Sequence, residues 1–335
     1  MAAKTGRLQR IIESLIMKKS ALAISIALMS AFSVNAQAKV LKLAHAMPLD
    51  HPVHKSLQWF ADQVTDRTDH RVRVYPNLTL GKEEATLQML QNGTLAFTKV
   101  GGGLTASFSD QYKILSLPYL YDDEADSKRV LRGPIGQEIL QSSEKDGFIG
   151  LAYLSSGSRG FYSNTKIETP DDLKGLKIRV QNSPIDIDTM KYLGASPVPI
   201  SSGEVYSALQ QGVVDGAENN IPTYYSTRHY EVAKYYSLDH HSMIPDILAV
   251  STEIWNSLSE EDRKVISEIA VETLDVQDKY WDEYVEEAKT QITKAGGEIV
   301  NADVHSFQKL VQPVYQKFAQ DNPQLSDLLT RLQAY

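Results

Sequence analysis

An uninterrupted helical pattern near the end of the chain constrains the fold more than any other feature. From Ser259, which with Asp262 forms a capping-box-like start, apolar residues recur at helical spacing until Gly296-Gly297. No Gly or Pro interrupts residues 259–295, which favours one helix over two helices joined by an unseen turn. At about 1.5 Å per residue this helix would be on the order of 55 Å long. Such a helix exceeds the diameter of a small domain and should belong to two lobes.

The rest of the chain alternates between strand and helix patterns. Apolar alternation predicts strands at 40–47, 71–76, 95–100, 147–155, 176–181 and around Val213-Val214, and helices from an Asp50 cap and at 83–93, 184–193 and 202–211. Alternation of this kind predicts an α/β fold with largely parallel sheets.

The N-terminus has the pattern of a secretory signal peptide. Lys18 and Lys19 precede an apolar run at 21–34, which ends in the small-residue pattern 36-AQA-38. We therefore assign residues 1–38 to an N-terminal extension and signal peptide, with Met17 the more natural start. The mature chain is expected to begin near Lys39 and to be exported, most simply to a periplasm.

Charge and cysteine content exclude several classes of function. Without residues 1–38 the chain keeps 29 basic and 41 acidic residues, a net charge of −12. An anionic surface argues against nucleic acid or an anionic membrane as the partner. The chain has no cysteine, so disulfides and thiol chemistry are excluded. No segment after the signal is long and apolar enough to span a bilayer.

Arg179 lies within the predicted strand 176-LKIRVQ-181. Leu176, Ile178 and Val180 form its apolar face, so Arg179 could be a surface charge on the polar face. The functional interpretation is that its planar guanidinium binds a carboxylate through two parallel hydrogen bonds. Gln181 and Asn182 favour this second interpretation, because they follow at the carboxyl end of the strand, where open α/β sheets place their ligands.

Two further segments carry candidate binding groups. Arg159 lies in the Gly/Ser-rich segment 155-SSGSRGFYSN-164, where it is either a solvated loop charge or a cation directed into a cleft between lobes. The stretch 215-DGAENN-220 is a turn with Asx chemistry, or else it presents an asparagine to a ligand with hydroxyls and a carboxylate.

The sequence predicts neither a metal site nor a cofactor. The spacings of His51, His54 and the pair His240-His241 match no known ligand pattern. There is no G-x-S-x-G, G-x-G-x-x-G, P-loop or H-E-x-x-H motif, so no enzyme class is indicated.

Over about residues 39–335 the chain resembles the DctP-type solute-binding proteins of tripartite ATP-independent periplasmic (TRAP) transporters. The segments that carry the resemblance are 76-PNLTLGKEE-84, 170-PDDLKGLKIRVQNSP-184, 194-GASPVPISSGEVYSALQQGVVDGAEN-219 and 258-LSEEDRKVI-266. The resemblance implies a two-lobed periplasmic-binding-protein-like fold with the long helix spanning both lobes. We expect lobe I to contain 39–156 and 245–284, and lobe II 157–244 and 285–335.

The resemblance also implies a site and a function. It implies closure of the lobes over an organic acid that is then delivered to a membrane permease. The family's central arginine falls on Arg179, its second arginine on Arg159 and its cleft asparagine on Asn219. Glu83 and Lys99 fall where relatives present ligand-contacting side chains.

The ligand class is expected from two further segments. The stretches 43-LAHAMPLDHPVHKSL-57 and 238-LDHHSMIPDILAVS-251 are most similar to relatives that take sugar acids such as uronates, which makes His45 and His241 candidate hydroxyl partners. Sialate-type relatives carry a glutamate near position 101, where this chain has 101-GGG-103, and many relatives carry an aromatic near Ser202.

Two alternatives share this scaffold. A periplasmic sensory module could bind the same ligand and differ only in its partner. A bilobal enzyme acting on a small carboxylate would need a base together with a nucleophile or metal in the cleft.

Overall fold

The computed structural model describes residues 38–335, so the predicted signal peptide lies outside the described residues apart from Ala38. The strands are β1 (Val40–Ala44), β2 (Arg71–Tyr75), β3 (Phe97–Gly101), β4 (Phe148–Leu154), β5 (Gly160–Ser163), β6 (Lys177–Val180), β7 (Ser196–Pro199), β8 (Gly216–Asn219), β9 (Tyr235–Leu238), β10 (Asp246–Ser251) and β11 (Glu298–Asn301).

Helices follow most of the strands. They are α1 (Pro52–Arg67), α2 (Glu83–Gln91), α3 (Gly102–Thr105), α4 (Glu124–Leu131), α5 (Pro134–Gln141), α6 (Pro184–Tyr192), α7 (Val205–Gln210), α8 (Ile221–Ser226), α9 (Thr252–Asn256), α10 (Glu260–Lys294), α11 (Val304–Asp321) and α12 (Ser326–Gln333). Helix α1 begins one residue later than predicted, because the side chain of His51, not of Asp50, accepts the capping hydrogen bond. None of the helices among residues 38–335 combines the length and apolar character needed to cross a membrane.

The strands form two sheets. The first sheet has the order β2-β1-β3-β10-β4 and the second the order β11-β9-β5-β8-β6-β7. The prediction of largely parallel sheets is only partly right, because β10 is antiparallel to β3 and β4, and β5 is antiparallel to β8 and β9. Each antiparallel strand comes directly after the chain has crossed from the other sheet, a change of direction that hydrophobic alternation does not reveal.

Helix α10 is one continuous helix, as predicted. The Ser259 side chain accepts a hydrogen bond from the amide of Asp262 at 3.0 Å, and Gly296 follows the helix with a positive φ of 87°. Ile266 and Ile269 are buried in the core on the first sheet, whereas Ile292 is buried in the core of the second sheet. The helix therefore serves both cores of a two-lobed α/β fold.

The C-terminal helices pack on elements from different parts of the chain. Helix α11 packs against α6, and α12 packs against α5, where Arg331 forms two 2.8 Å hydrogen bonds with Glu138. The residue boundaries expected for the two lobes stay a prediction.

Candidate ligand-binding site

Strand ends from both sheets surround one cavity of about 270 Å³. Sheet one contributes Lys99 on β3 and Asp246 on β10 to its lining, and sheet two contributes Arg179 on β6 and Asn219 on β8. The edge beyond the strands is where α/β sheets bind ligands. The cavity is slightly smaller than the roughly 300–1,000 Å³ typical of drug-sized ligands, which indicates a small ligand.

Arg179 is buried at this cavity and lacks a carboxylate partner among the described residues. Its residue exposure is 4%, and β6 lies between β7 and β8, so the alternative of a surface charge on an edge strand is wrong. Its Nε donates to the carbonyl oxygen of Ile200 at 2.8 Å, and the described residues offer no acceptor for its two terminal nitrogens. Burial lowers the pKa of Arg179, yet a guanidinium stays charged at neutral pH.

Arg159 also lines the cavity, but Glu218 neutralises its charge. Its Nε and Nη2 donate to the two carboxylate oxygens of Glu218, the latter at 2.9 Å, and its Nη1 donates to Oδ1 of Asn219 at 3.1 Å. Burial tends to raise the pKa of Glu218, but Arg159 and His241 together outweigh burial and hold that pKa at about 2. Arg159 is therefore a fixed hydrogen-bond donor with a balanced charge.

Asn219 is the last residue of β8. The predicted strand around Val213-Val214 is wrong: Val213 is exposed, and the strand instead covers Gly216–Asn219, within the stretch 215–220 for which a turn is one of the two interpretations. Polar residues form this strand because its neighbours β5 and β6 supply the backbone partners. The Oδ1 of Asn219 accepts from Arg159 and from the amide of Asn220, which leaves the side-chain NH₂ for a ligand.

Lys99 forms a charge cluster with two carboxylates on the first sheet. Its Nζ lies 2.8 Å from Oδ1 of Asp246 and 3.3 Å from Oε1 of Glu83. Burial alone would lower the pKa of Lys99, but the two carboxylates outweigh burial and the net shift is upward. Burial raises the pKa of Glu83, and Lys99 opposes that rise. Glu83 and Lys99 thus meet at the cavity, joined by Asp246, which no sequence pattern indicated.

His45 and His241 are buried, but they are not among the residues that line the cavity. The Nδ1 of His45 accepts from the amide of Met47 at 3.2 Å, and its Nε2 lies 3.1 Å from Nδ1 of His54. Burial lowers the pKa of His45 to about 3, so its ring is neutral. Direct ligand contact by either histidine stays a prediction.

His241 belongs to a buried charge cluster with Asp239 and with Glu218, the partner of Arg159. Its Nδ1 lies 2.7 Å from Oδ2 of Asp239, and its Nε2 lies 3.6 Å from Oε2 of Glu218. Burial would lower its pKa, but the carboxylates of Asp239 and Glu218 overcome that effect and raise it to about 9. His241 is therefore a cation that supports Glu218, which in turn orients Arg159.

Several lining residues were not assigned a role from the sequence. Examples are Tyr206, Thr223, Thr227, His229 and Asn77. His229 is buried, and burial together with the nearby Arg179 lowers its pKa to about 3, so a neutral ring faces the cavity. These residues lie just after a short strand or within and beside short helices, where sequence patterns do not show which side chains converge.

The glycines at 101–103 make room for Gln181. A Cβ on Gly101 would lie 2.8 Å from Oε1 of Gln181, and one on Gly103 would lie 3.0 Å from its Nε2. The side chain of Gln181, which follows β6 of the second sheet, thus occupies the space beside Gly101 and Gly103.

Polar contacts also bridge the two sides of the cleft. The hydroxyl of Ser201 donates to Oε1 of Glu84 at 2.8 Å, and Lys82 Nζ lies 2.9 Å from Oε1 of Glu204. Leu78 contacts the same segment, since a Cβ on Gly203 would lie 2.6 Å from its Cδ1.

The site can bind an anion but shows no arrangement for metal chemistry. Within residues 38–335 no three His, Cys, Asp or Glu side chains are grouped so as to hold a metal ion. Of the cavity-lining Arg and Lys residues that the structure describes, Arg179 alone lacks a carboxylate partner. A two-lobed fold with one unbalanced buried guanidinium in its cleft defines a binding protein for a small carboxylate.

Comparisons with known proteins agree with this class. The family model for bacterial extracellular solute-binding protein, family 7 (DctP), matches residues 43–321, and the chain belongs to that family. A solute-binding protein of Chromohalobacter salexigens is 36% identical over 319 residues, which cover 94% of this chain and 95% of that protein.

Two solved structures show the same fold. A TRAP periplasmic solute-binding protein from Xanthobacter autotrophicus with bound β-D-galacturonate has a TM-score of 0.84 and 38% identity, covering 88% of this chain and 99% of that one. A TRAP protein from Chromohalobacter salexigens with bound D-glucuronate has a TM-score of 0.85 and 35% identity, again covering 88% and 99%.

Proposed function

We propose that this protein is the extracytoplasmic solute-binding subunit of a TRAP transporter and that it captures a uronate. The observation that carries the proposal is the buried guanidinium of Arg179, whose terminal nitrogens face the cavity without a carboxylate partner in the described part of the chain. An unpaired buried charge is costly, and a ligand carboxylate would supply the missing partner through two charge-assisted hydrogen bonds.

The remaining lining suits a polyhydroxylated ligand. The side-chain NH₂ of Asn219 is a donor, and the carboxylates of Glu83 and Asp246 are acceptors for hydroxyl groups. Arg159 adds a donor held in place by Glu218, and Lys99 contacts one oxygen of each acceptor carboxylate. A sugar ring with one carboxylate combines the features that these groups recognise.

The structural relatives support the same ligand class. The Xanthobacter and Chromohalobacter structures contain galacturonate and glucuronate, and the curated relatives include a 2,3-diketo-L-gulonate-binding protein from Escherichia coli at 31% identity. These ligands are sugar acids, so the relatives agree with a polar cavity in which one described cation, Arg179, lacks a carboxylate partner.

Delivery and location complete the proposal. In this account the two lobes close over the uronate by hinge rotation, and the closed form meets the TRAP permease subunits on the membrane. The protein acts in the periplasm after removal of residues 1–38, and it releases its ligand chemically unchanged. Recovery of unmodified uronate after prolonged incubation, together with uptake that requires both this protein and the permease, would support these points.

The test of ligand binding is calorimetric titration of the purified protein with D-galacturonate, D-glucuronate and the neutral hexose D-galactose. We expect one uronate to bind with micromolar affinity, about −8 kcal/mol, and galactose to bind at least about 100-fold more weakly. Equal affinity for the uronates and galactose would contradict the role of the carboxylate, and failure of every sugar acid to bind would contradict the proposed function.

Variants of one arginine test the geometry. Arg179→Lys keeps the charge but lacks the planar fork, so it should weaken uronate binding by at least about 100-fold. Arg73→Lys, at an exposed position of β2, is the matched control and should bind as the parent does. Normal binding by Arg179→Lys would show that a point charge suffices and that the two-bond clamp is wrong.

A further inference from the structure

The charge cluster of Lys99, Glu83 and Asp246 has one more carboxylate than ammonium. Lys99 Nζ contacts one oxygen of each carboxylate, and the three side chains are 3%, 11% and 15% exposed. With both carboxylates ionised, the cluster carries a net charge of −1 on the first-sheet side of the cavity. A lysine in a binding cavity would usually attract an anion, but this ammonium is already shared between two carboxylates.

The free oxygens of the cluster are acceptors. Among the residues that the structure describes, no donor reaches Oε2 of Glu83 or Oδ2 of Asp246 within hydrogen-bonding distance, and both residues line the cavity. An ionised carboxylate can only accept hydrogen bonds. This side of the cavity therefore fits ligand hydroxyls, which donate, and repels a ligand carboxylate, which cannot donate.

We propose that Glu83 and Asp246 make the cavity selective against ligands that carry a second carboxylate. The inference rests on the proposed function, because it assumes that a first carboxylate binds Arg179. With that end fixed, the other end of a six-carbon acid meets the net negative cluster in a partly dehydrated cavity, where like charges repel more strongly than in water. The protein thus separates uronates from aldarates, the C6 sugar acids with carboxylates at both ends.

Asp246 has a specific part in this selection. It opens β10, and its partner across the antiparallel pair with β3 is Gly101, two residues from Lys99. If Asp246 were neutral, Lys99 and Glu83 would form a balanced pair. If Glu83 were neutral as well, the free ammonium of Lys99 would form a second anion site. The charge of the cluster therefore changes from −1 to 0 to +1 through two near-isosteric substitutions.

The experiment measures the dissociation constants of D-galacturonate and galactarate for the parent, for Asp246→Asn, for Glu83→Gln and for the double variant. We expect the parent to bind galactarate on the order of 100-fold more weakly than galacturonate. The ratio of the two constants should fall by at least about tenfold in each single variant and should approach or pass unity in the double variant. Using the ratio removes any general loss of affinity from missing hydroxyl contacts.

The outcomes separate the two proposals. If the parent binds no sugar acid, the proposed function fails. If it binds galacturonate and galactarate within threefold of each other, or if the ratio is unchanged in folded variants, the selection by charge fails while the proposed function stands. Asp282→Asn, at an exposed position of α10, is the matched control and should leave the ratio unchanged. The ratio of the parent and the ratio of each single variant are separate tests of the proposal. The proposal can therefore be decided even if one variant does not fold.

Discussion

Two buried arginines line the cavity, and they differ in whether a carboxylate balances them. Arg159 is held by both carboxylate oxygens of Glu218, whereas Arg179 bonds within the described chain only to the carbonyl of Ile200. A buried ion pair with balanced charges stabilises the fold, because removing one member leaves the other as an unpaired buried charge. An unbalanced buried cation is available for a ligand.

Replacing each arginine by methionine should separate these roles. Arg159→Met removes the guanidinium that bonds both carboxylate oxygens of the buried Glu218, leaving His241 as its one cationic contact in the described chain, and should destabilise the protein by about 3–5 kcal/mol. Arg179→Met removes an unpaired charge and one hydrogen bond, effects that offset each other, so its stability should stay within about 1 kcal/mol of the parent. Urea unfolding of the ligand-free proteins measures both values. A loss of several kcal/mol in Arg179→Met would show that this guanidinium is needed for the fold.

Asp186 should make stability depend on pH. Burial, and then the nearby carboxylate of Glu218, raise the pKa of Asp186 to about 7. The folded state holds this proton more tightly than the unfolded chain, so the contribution to stability is present below about pH 4 and is lost as the pH rises through about 7. Asp186→Asn should therefore gain stability over the parent between pH 5 and 8, on the order of 2 kcal/mol.

Thermal unfolding between pH 4 and 8.5 measures this difference. Asp66→Asn, at an exposed position of α1, is the control for the exchange of aspartate for asparagine, and an equal gain there would show that the burial of Asp186 is not the cause. A constant difference for Asp186→Asn would show that Asp186 titrates in the folded state as it does in the unfolded chain.

At the residue scale, the sequence predicted the cationic residues of the site better than the carboxylates that pair with them. Arg179 stood out because it lies on the polar face of a strand that ends at a ligand-binding edge, where Gln181 and Asn182 follow it. Glu218 and Asp246 were missed, because a buried carboxylate can be recognised only when the cation that it contacts is known. The cation that contacts Glu218 lies 59 residues away along the chain. The cation that contacts Asp246 lies on another strand. Such contacts depend on which strands become neighbours in the sheet.

At the element scale, helix α10 carries the link between the two cores. Its first half packs on α1 and β4, and its second half packs on α8 and β11. The sequence predicted this helix because its apolar pattern has no Gly or Pro and both ends carry recognisable caps. Strand β8 was placed too early because its polar residues do not alternate with apolar ones, and the direction of β5 and β10 follows from the crossings between sheets.

A glycine at the junction of α10 tests the importance of its continuity. Glu283 is exposed and lies between Trp281, in the first core, and Ala288, in the second core. Glu283→Gly should cost about 1 kcal/mol relative to Glu283→Ala, because glycine loses more backbone entropy in a helix. Urea unfolding compares the two variants. Equal stability would indicate that tertiary packing alone fixes the helix at this point.

At the scale of the whole molecule, contacts across the cleft oppose its opening. Leu78 approaches Gly203, and Ser201 bonds to Glu84 at 2.8 Å, so the segments 76–84 and 201–204 meet at the cavity. That the fold has two lobes could be predicted from the long helix. Which loops meet across the cleft could not, because that depends on how the two sheets are placed relative to each other.

A larger side chain at Gly203 should hinder closure. Gly203→Val places methyl groups where Leu78 lies, so uronate affinity should fall about tenfold while the stability of the ligand-free protein changes little. Leu78→Ala in the same chain should restore most of the affinity, because it frees the space that the valine needs. The departure of the double variant from the sum of the two single effects gives the coupling free energy between the two residues. Calorimetric titration of the parent, the two single variants and the double variant with the uronate measures this free energy. Additive effects would show that the two residues do not meet in the ligand-bound form.

The central claim is that the carboxylate of a uronate pairs with Arg179. The most direct measurement is the crystal structure of the protein grown with D-galacturonate, in which the two terminal guanidinium nitrogens of Arg179 are located relative to the ligand. We predict two parallel hydrogen bonds of about 2.7–2.9 Å to the two carboxylate oxygens. A carboxylate bound to Arg159 or Lys99 instead, with Arg179 facing only solvent, would contradict it.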